Sequence, residues 1–422
     1  MPQDRNLSGC QVFEAANLPL NWDCAPLGSR IELAYGRGLR EEDRKSGGVD
    51  VYGSNGRVGS HNVALVNGPG ILIGRKGTIG AVHFTSRPFW PIDTVYYVVP
   101  RASDDLRFLH HLLDYLPLGF LNAATGVPGL SRRDAYALRG AFPSPDEQAA
   151  IARILDAVDT ALERTRAAVD RAQGLRASIL ADLLSHGVGE GGKVRHDDRR
   201  PSDFVITPLG RLPSAWGLST VERSFDLQNG FTLNAERRAR FRKRRYLRVA
   251  NVQRDALDLT DVQELEAGDT EFAPRVLAMD DLLVVEGHAD RMQIGRCARV
   301  TEEAAGTTFQ NHLFRLRTKG AVLPAFACLW LNSAYAQRFW NARCATSSGL
   351  NTINQRTLKR LIVPIPSTPE QQSIASIVEQ QRQYLEALIA KQVKLEELKK
   401  SLTHDLLTGR VRVSREAKAA AS

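Results

Sequence analysis

The hydrophobic pattern changes character three times along this chain. From 27 to 140, short apolar runs such as Val63–Val66, Ile71–Ile73 and Val95–Val99 are broken by Gly and Asn, the texture of strands and turns. From Ile151 the pattern switches to alternating steps of three and four: Ile151, Ile154, Val158, Ala161, Thr165, Ala168, Ala172, Leu175, Ile179. Such heptad spacing predicts a long helix with one buried stripe. Strand-like texture returns from 207 to 363, with Tyr246–Val249, Leu282–Val285 and Leu313–Leu316. A second heptad stripe follows at Ile374, Ile377, Gln381, Tyr384, Leu388, Lys391, Leu395, Leu398, Leu402. Pro145 and Pro369 stand at the helix starts and Gly187 and Gly409 at the ends, where proline and glycine respectively are favoured. Each helix approaches about 40 residues, about 58 Å at ~1.5 Å per residue.

The alternation is an internal repeat. Leu18-Pro19 with Trp22 recurs as Leu212-Pro213 with Trp216, an offset of 194. Pro143-x-Pro145, Glu147-Gln148 and Ile151-Ala152 recur as Pro364-x-Pro366, Glu370-Gln371 and Ile374-Ala375, an offset of 223. At that offset Gly126 meets Gly349, Ser131 meets Asn354, and Asp182-Leu183-Leu184 meets Asp405-Leu406-Leu407. Each half is therefore a block of variable length followed by one of constant length. A helix with an apolar stripe must bury it. Two copies predict that they pair with each other, with Thr165, Gln381 and Lys391 setting register; the alternative is that each packs on its own block. The expected fold is α+β: two globular blocks alternating with two long helices, pseudo-twofold, the helices pairing as an antiparallel coiled coil. The expected divisions are 1–142, helix 143–187, linker 188–206, second block 207–363, helix 364–411 and tail 412–422. Gly187, Gly189, Gly191 and Gly192, followed by charges, predict a flexible linker, and the tail is expected to fray.

Composition narrows the class. In 422 residues, 43% are hydrophobic and 24% charged, which excludes a disordered or collagen-like chain. The longest apolar runs, such as Phe326–Leu331, are far short of the ~18 residues a membrane span needs. Met1–Gly9 lacks a signal-peptide core, so a cytoplasmic protein is expected. The five cysteines are scattered, without a Cys-x-x-Cys pair, which argues against a zinc site or disulfide framework. A net charge of +9 is compatible with nucleic acid.

Catalytic signatures are missing. Gly74-Arg75-Lys76-Gly77-Thr78 has the ingredients of a phosphate loop in the wrong order. The adjacent His110-His111 cannot act as a ligand pair on one helical face. No Asp/Asn-Pro-Pro-Tyr/Phe methyltransferase signature occurs, and no metal-nuclease carboxylate cluster with a following Lys stands out. Basic chemistry is present instead. Arg237–Arg248 holds eight cations, Arg237, Arg238, Arg240, Arg242, Lys243, Arg244, Arg245 and Arg248, interleaved with Phe241 and Tyr246. Such a run suits phosphate contact or guanine reading, or is a solvated face. The first block has a thinner set, Arg37, Arg40, Arg44, Lys45, Arg57, Arg75 and Lys76, beside glycine-rich turns at 53–56 and 74–80.

In this arrangement the chain resembles the specificity subunit of type I restriction-modification enzymes. The matching residues are Leu18-Pro19 with Trp22, 53–56, 73–80, Gly129-Leu130-Ser131 and 143–151. In the second half they are Leu212-Pro213 with Trp216, 246–253, 281–287, Ile294-Gly295-Arg296, Gln310-Asn311-His312, Ile353-Asn354, 364–374 and 406–409. Lys391 and Gln381 make the second stripe more polar than the first. The resemblance implies two target recognition domains that read the halves of a bipartite double-stranded DNA site, with the helices as spacer. It implies methyltransferase subunits bringing S-adenosylmethionine, a motor-nuclease subunit bringing ATP and magnesium, and no cofactor, metal or catalysis on this chain. Competing readings are a coiled-coil scaffold without DNA and a restriction or modification enzyme with catalysis in the same chain. DNA contacts are expected from Arg44, Lys45, Ser54, Asn55, Arg57, Arg75, Lys76, Thr78 and Arg132. In the second half they are expected from Arg242, Lys243, Arg244, Arg245, Arg248, Asn251, Gln253, Arg296, Gln310, Asn311, His312 and Asn351. Helix pairing is expected from Ile151, Ile154, Val158, Leu175, Ile179, Ile374, Ile377, Tyr384, Leu388, Leu395 and Leu398.

Overall fold

The structure is a computed structural model that describes residues 13, 18–121, 129–196, 201–347 and 349–413. Cys10, Gly126, residues 197–200 of the expected linker and residues 414–422 of the expected tail lie outside the described residues. The chain forms two compact units, 1–168 with 388–422, and 169–387. Each unit holds one strand-rich block and part of each long helix.

In the first unit a four-stranded antiparallel sheet runs in the order Ile31–Tyr35, Val95–Pro100, Gly70–Gly74, Val82–Thr85. Gly70–Gly74 is buried throughout, as a central strand covered on both faces must be. A three-stranded sheet orders Gly56–His61, Val49–Gly53 and Phe89–Pro91, and Asp23–Pro26 pairs with Arg139–Phe142. Helix Leu106–Tyr115 is capped by Asp105, whose carboxylate accepts from Phe108 N at 2.8 Å. It buries Phe108, Leu109 and Leu112 in one core with Ile31, Leu33, Ile71, Ile151 and Leu155.

The second unit repeats this strand for strand. Phe225–Asn229, Leu313–Thr318, Leu282–Val285 and Cys297–Arg299 form its four-stranded sheet. Gln263–Glu266, Lys243–Leu247 and Thr308–Phe309 form its three-stranded one, and Gly217–Thr220 pairs with Ile362–Ile365. The blocks that sequence comparison treats as variable are thus the same topology twice. Its additional residues include the Val252–Leu257 hairpin and helix Ala334–Arg343.

The long helices span Pro145–His186 and Thr368–Leu407. Gly187 and Gly409 follow them at φ of +67° and +70°, the left-handed cap that favours glycine. The buried stripe differs in phase from the expected one. Leu155, Leu162 and Val169 are buried where Ile154, Ala161 and Ala168 were expected, giving Ile151, Leu155, Val158, Leu162, Thr165, Val169, Ala172. Leu175 is 55% exposed, and in the second helix Tyr384 and Leu398 are 56% and 45% exposed. Ile374 is buried, while Ile154, Ile179, Ile377, Leu388 and Leu395 are half-buried. Both phases place apolar or small residues at most positions, so the facing elements decide. Arg176 takes the inward place beside Leu175 because Asp255 meets it at 3.5 Å. Within the first unit, Asp159–Lys399 at 2.7 Å and Arg166–Glu396 at 2.8 Å join the two helices. The exposed Arg166–Glu396 pair contributes about 0–1 kcal/mol, and the Asp159–Lys399 pair is half-buried.

The repeated Glu-Gln fastens each helix start. Gln148 Oε1 accepts from Asp105 N at 2.8 Å and its Nε2 donates to Pro143 O at 3.0 Å; Gln371 does the same with Leu323 N and Pro366 O at 2.7 and 2.9 Å. Glu147 accepts from Trp22 Nε1 at 3.3 Å and from Arg412 Nε at 2.7 Å. Glu370 accepts from Val188 N at 2.9 Å and ion-pairs with Arg195. These contacts correct two expectations. The start of the linker is a clasp, with Val188 buried and bridged to Val194, and Arg412 is held rather than frayed. Among the described residues no helix is long and apolar enough to cross a membrane. Cys24, Cys297, Cys328 and Cys344 are free thiols.

Candidate nucleic-acid interface

In the first unit the hairpin Val49–His61 turns at Ser54-Asn55 and closes on Gly56, at φ +97°. The loop after Gly74 turns through Gly77 and Gly80, at φ +76° and +74°. The two turns meet: a Cβ on Gly77 would lie 3.1 Å from Ser54 Oγ, and a His83 ring nitrogen lies 3.2 Å from Ser54 O. Thr94 O accepts from both Arg75 N and Lys76 N, at 2.9 and 3.1 Å. One surface therefore carries Ser54, Asn55, Arg75, Lys76 and Thr78. Arg132, at the start of helix Arg132–Ala137, joins it through a ring that sequence reasoning missed. The Arg75 and Arg132 guanidinium carbons lie 4.9 and 4.8 Å from the Tyr35 centroid. Tyr35 is 51% exposed. Each guanidinium is steadied by one carbonyl, Asp93 O at 2.9 Å for Arg75 and Leu33 O at 3.2 Å for Arg132. A tyrosine ending a strand just before Gly36 was the available signal. Arg44 and Arg57 are tied into the hairpin, to Val58 O at 2.9 Å and Asp50 at 2.5 Å. Lys45 is exposed, its backbone N–H donating to His61 Nδ1.

The basic run of the second unit is half neutralised. Arg237 pairs with Glu271 at 2.8 Å, Lys243 with Glu264 at 3.7 Å, Arg248 with Asp261 at 2.5 Å, and Arg244 with Asp269. Glu266 accepts backbone N–H groups from Arg240, Phe241 and Arg242 at 2.7–2.9 Å. These bonds hold its carboxyl below the usual range. They also thrust out Phe241, 92% exposed between two arginines. Arg242 and Arg245 are exposed, and neither has an ion-pair partner among the described residues. Tyr246 is buried and belongs to the core.

Two expected contacts are corrected. Asn251 is 3% exposed; its carboxamide accepts from Arg248 N and donates to Asp258 O and Asp261 O. That closes a turn and leaves nothing for DNA. Arg296 is buried and donates to Val249 O at 2.6 Å and Gln293 Oε1 at 3.0 Å, and desolvation lowers its pKa. Gln253 donates to Ala250 O and Asn351 to Ala289 O. Gln310 and Asn311 are half-buried on the connection leading to His312. His312 Nδ1 lies 3.3 Å from Glu286 Oε2, a carboxylate the expected set omitted. Burial raises the Glu286 carboxyl and the neighbouring His312 opposes the shift.

The His110-His111 pair lies on helix Leu106–Tyr115, and His111 faces the first long helix. His111 Nε2 is 2.7 Å from Asp156 Oδ1, while His110 Nδ1 is buried without a partner. Burial, with His111 and Arg107 adding to it, pushes His110 from 6.5 down to about 3, and burial also lowers His111. A depressed histidine favours folding above its unfolded pKa, and that stability is lost as pH falls from about 6.5 toward 3. The unfolding midpoint is expected to drop between pH 6.5 and 5, and to drop less in His110→Gln. Parallel pH curves for the two proteins would contradict this.

Comparisons with known proteins place the chain as a whole. The model of the type I restriction modification DNA specificity domain matches residues 19–169 and 280–399. The EcoBI type I restriction enzyme specificity subunit of Escherichia coli is 24% identical over 347 residues, 76% of this chain and 68% of that protein. A putative type I specificity subunit of Mycoplasma pneumoniae is 33% identical over 86 residues, 20% of this chain and 25% of its own length. The crystal structure of a type I restriction-modification S subunit from M. genitalium shares the fold, with a TM-score of 0.60 and 17% identity over 93% of this chain and 98% of that one. The family model matches more than half of the chain, in two segments, and the chain belongs to the type I restriction modification DNA specificity family.

Proposed function

We propose that each recognition block reads one half of a bipartite duplex site. The long helices pair as an antiparallel coiled coil, set the gap between half-sites and dock the methyltransferase subunits. On this reading the chain is non-catalytic. S-adenosylmethionine belongs to the methyltransferase subunits, and ATP and magnesium to a motor-nuclease subunit. The observation that carries the reading is one strand topology used twice, with unlike side chains on its loops. Loops on a supporting scaffold can reach base edges while the scaffold holds register. The ion pairs between oppositely running helices support the coiled-coil part. Cytoplasmic location follows from the substrate.

The test exchanges residues 207–363 for the corresponding block of a relative and maps methylated positions in host DNA with the assembled enzyme. One half-site is expected to change completely while the other persists. If both changed together, two independent readers would be excluded.

A further inference from the structure

Backbone hydrogen bonds around one loop correspond between the two readers, although the loop is longer in the second. Gly80 N donates to Gly74 O at 2.8 Å, and Gly295 N to Val285 O at 2.9 Å. Leu130 N donates to Arg75 O and Ile353 N to Glu286 O, each at 2.9 Å. Arg75 N bonds Thr94 O, and Glu286 N bonds His312 O, again at 2.9 Å. Arg75 and Glu286 therefore occupy the same place in the same loop with opposite charge. The neighbours change with them. Tyr35 pairs with Tyr96 at its strand end, where Asn229 pairs with Phe314. Arg132 opens the short helix capped by Ser131, where Gln355 opens the one capped by Asn354.

Resting on the DNA-reading proposal above, we infer that this loop position is a specificity determinant of opposite chemistry in the two readers. Arg75 reads the acceptor edge of a guanine in one half-site. Glu286 accepts from the amino group of a cytosine or adenine in the other. The major groove offers guanine O6 and N7 as paired acceptors matched by a guanidinium, while a carboxylate can only accept and is met by an exocyclic amine. Arg75 is poised for this: one nitrogen is anchored on Asp93 O and the plane is held by Tyr35, leaving the remaining donors for a ligand. A side chain ordered beforehand loses less entropy on binding. On Glu286 one oxygen faces His312, leaving the other as an acceptor.

The test uses the assembled complex and selection from a random-sequence duplex pool. Arg75→Ala is expected to lose discrimination at one G·C pair of one half-site, by roughly 5- to 150-fold, with the other half-site intact. Arg75→Lys keeps the charge and stem and is expected to lose most of the same discrimination, which serves if the alanine variant folds poorly. Glu286→Ala is expected to relax one position of the opposite half-site only. Unchanged selection by the folded variants, or relaxation at every position alike, would overturn the inference while leaving the two-reader proposal standing. A wild-type complex that selects no bipartite sequence would overturn both.

Discussion

Leu155→Ala is expected to destabilise the first unit by about 2–5 kcal/mol, the range for truncating a large side chain in a packed core. Leu175→Ala, on the same helix, is expected to change stability by no more than about 0.5 kcal/mol, as for exposed positions. Both leucines lie in a heptad-like run, and they separate the two possible phases of the stripe. Leu155 is fully buried with Ile151, Leu406 and Leu407 around one core, whereas Leu175 lies on the outer face. The cavity left at 155 cannot refill easily, because helix and sheet both bound it. Urea unfolding read by circular dichroism gives both values, and equal losses would show that the phase described here is wrong. Where the units unfold separately, the Leu155 effect is confined to one transition.

Gly295→Ala is expected to destabilise the second unit by roughly 2–5 kcal/mol, combining left-handed strain of ~1–2 kcal/mol with ~1–3 kcal/mol for forcing a packed core apart. Gly295 has φ +71°, and an added Cβ would fall 2.0 Å from Trp340 Nε1 and 2.2 Å from its Cδ1. Trp340 is itself buried and edge-on to Phe339, so it has no room to retreat. Gly306 is the control. Its φ is +80°, but nothing lies within 4 Å of its added Cβ, so Gly306→Ala should lose only the strain contribution. Equal melting temperatures for the two variants would mean that Trp340 rearranges freely.

The amino-acid sequence by itself determined the twofold repeat, the two long helices with their proline starts and glycine ends, and the family. These are local or periodic properties: heptad spacing, cap residues and the recurring Glu-Gln are visible without knowing what they touch. The phase of the stripe was decided only in three dimensions, because Ile154 and Leu155 are equally apolar and the facing elements choose between them. The identity of the two recognition blocks was likewise invisible. Strand topology is set by which strands exchange backbone bonds, and Arg75 and Glu286 share one loop position with no similarity of side chain. The same reason kept the electrostatics of the basic run out of the sequence. Charge in a sequence is counted whether or not a partner stands against it, so the carboxylates that face Arg237, Lys243, Arg244 and Arg248, namely Glu271, Glu264, Asp269 and Asp261, came only with the fold. Tyr35 had no polar signature. It became part of the candidate surface only where folding brought Arg75 and Arg132, distant in sequence, onto its ring.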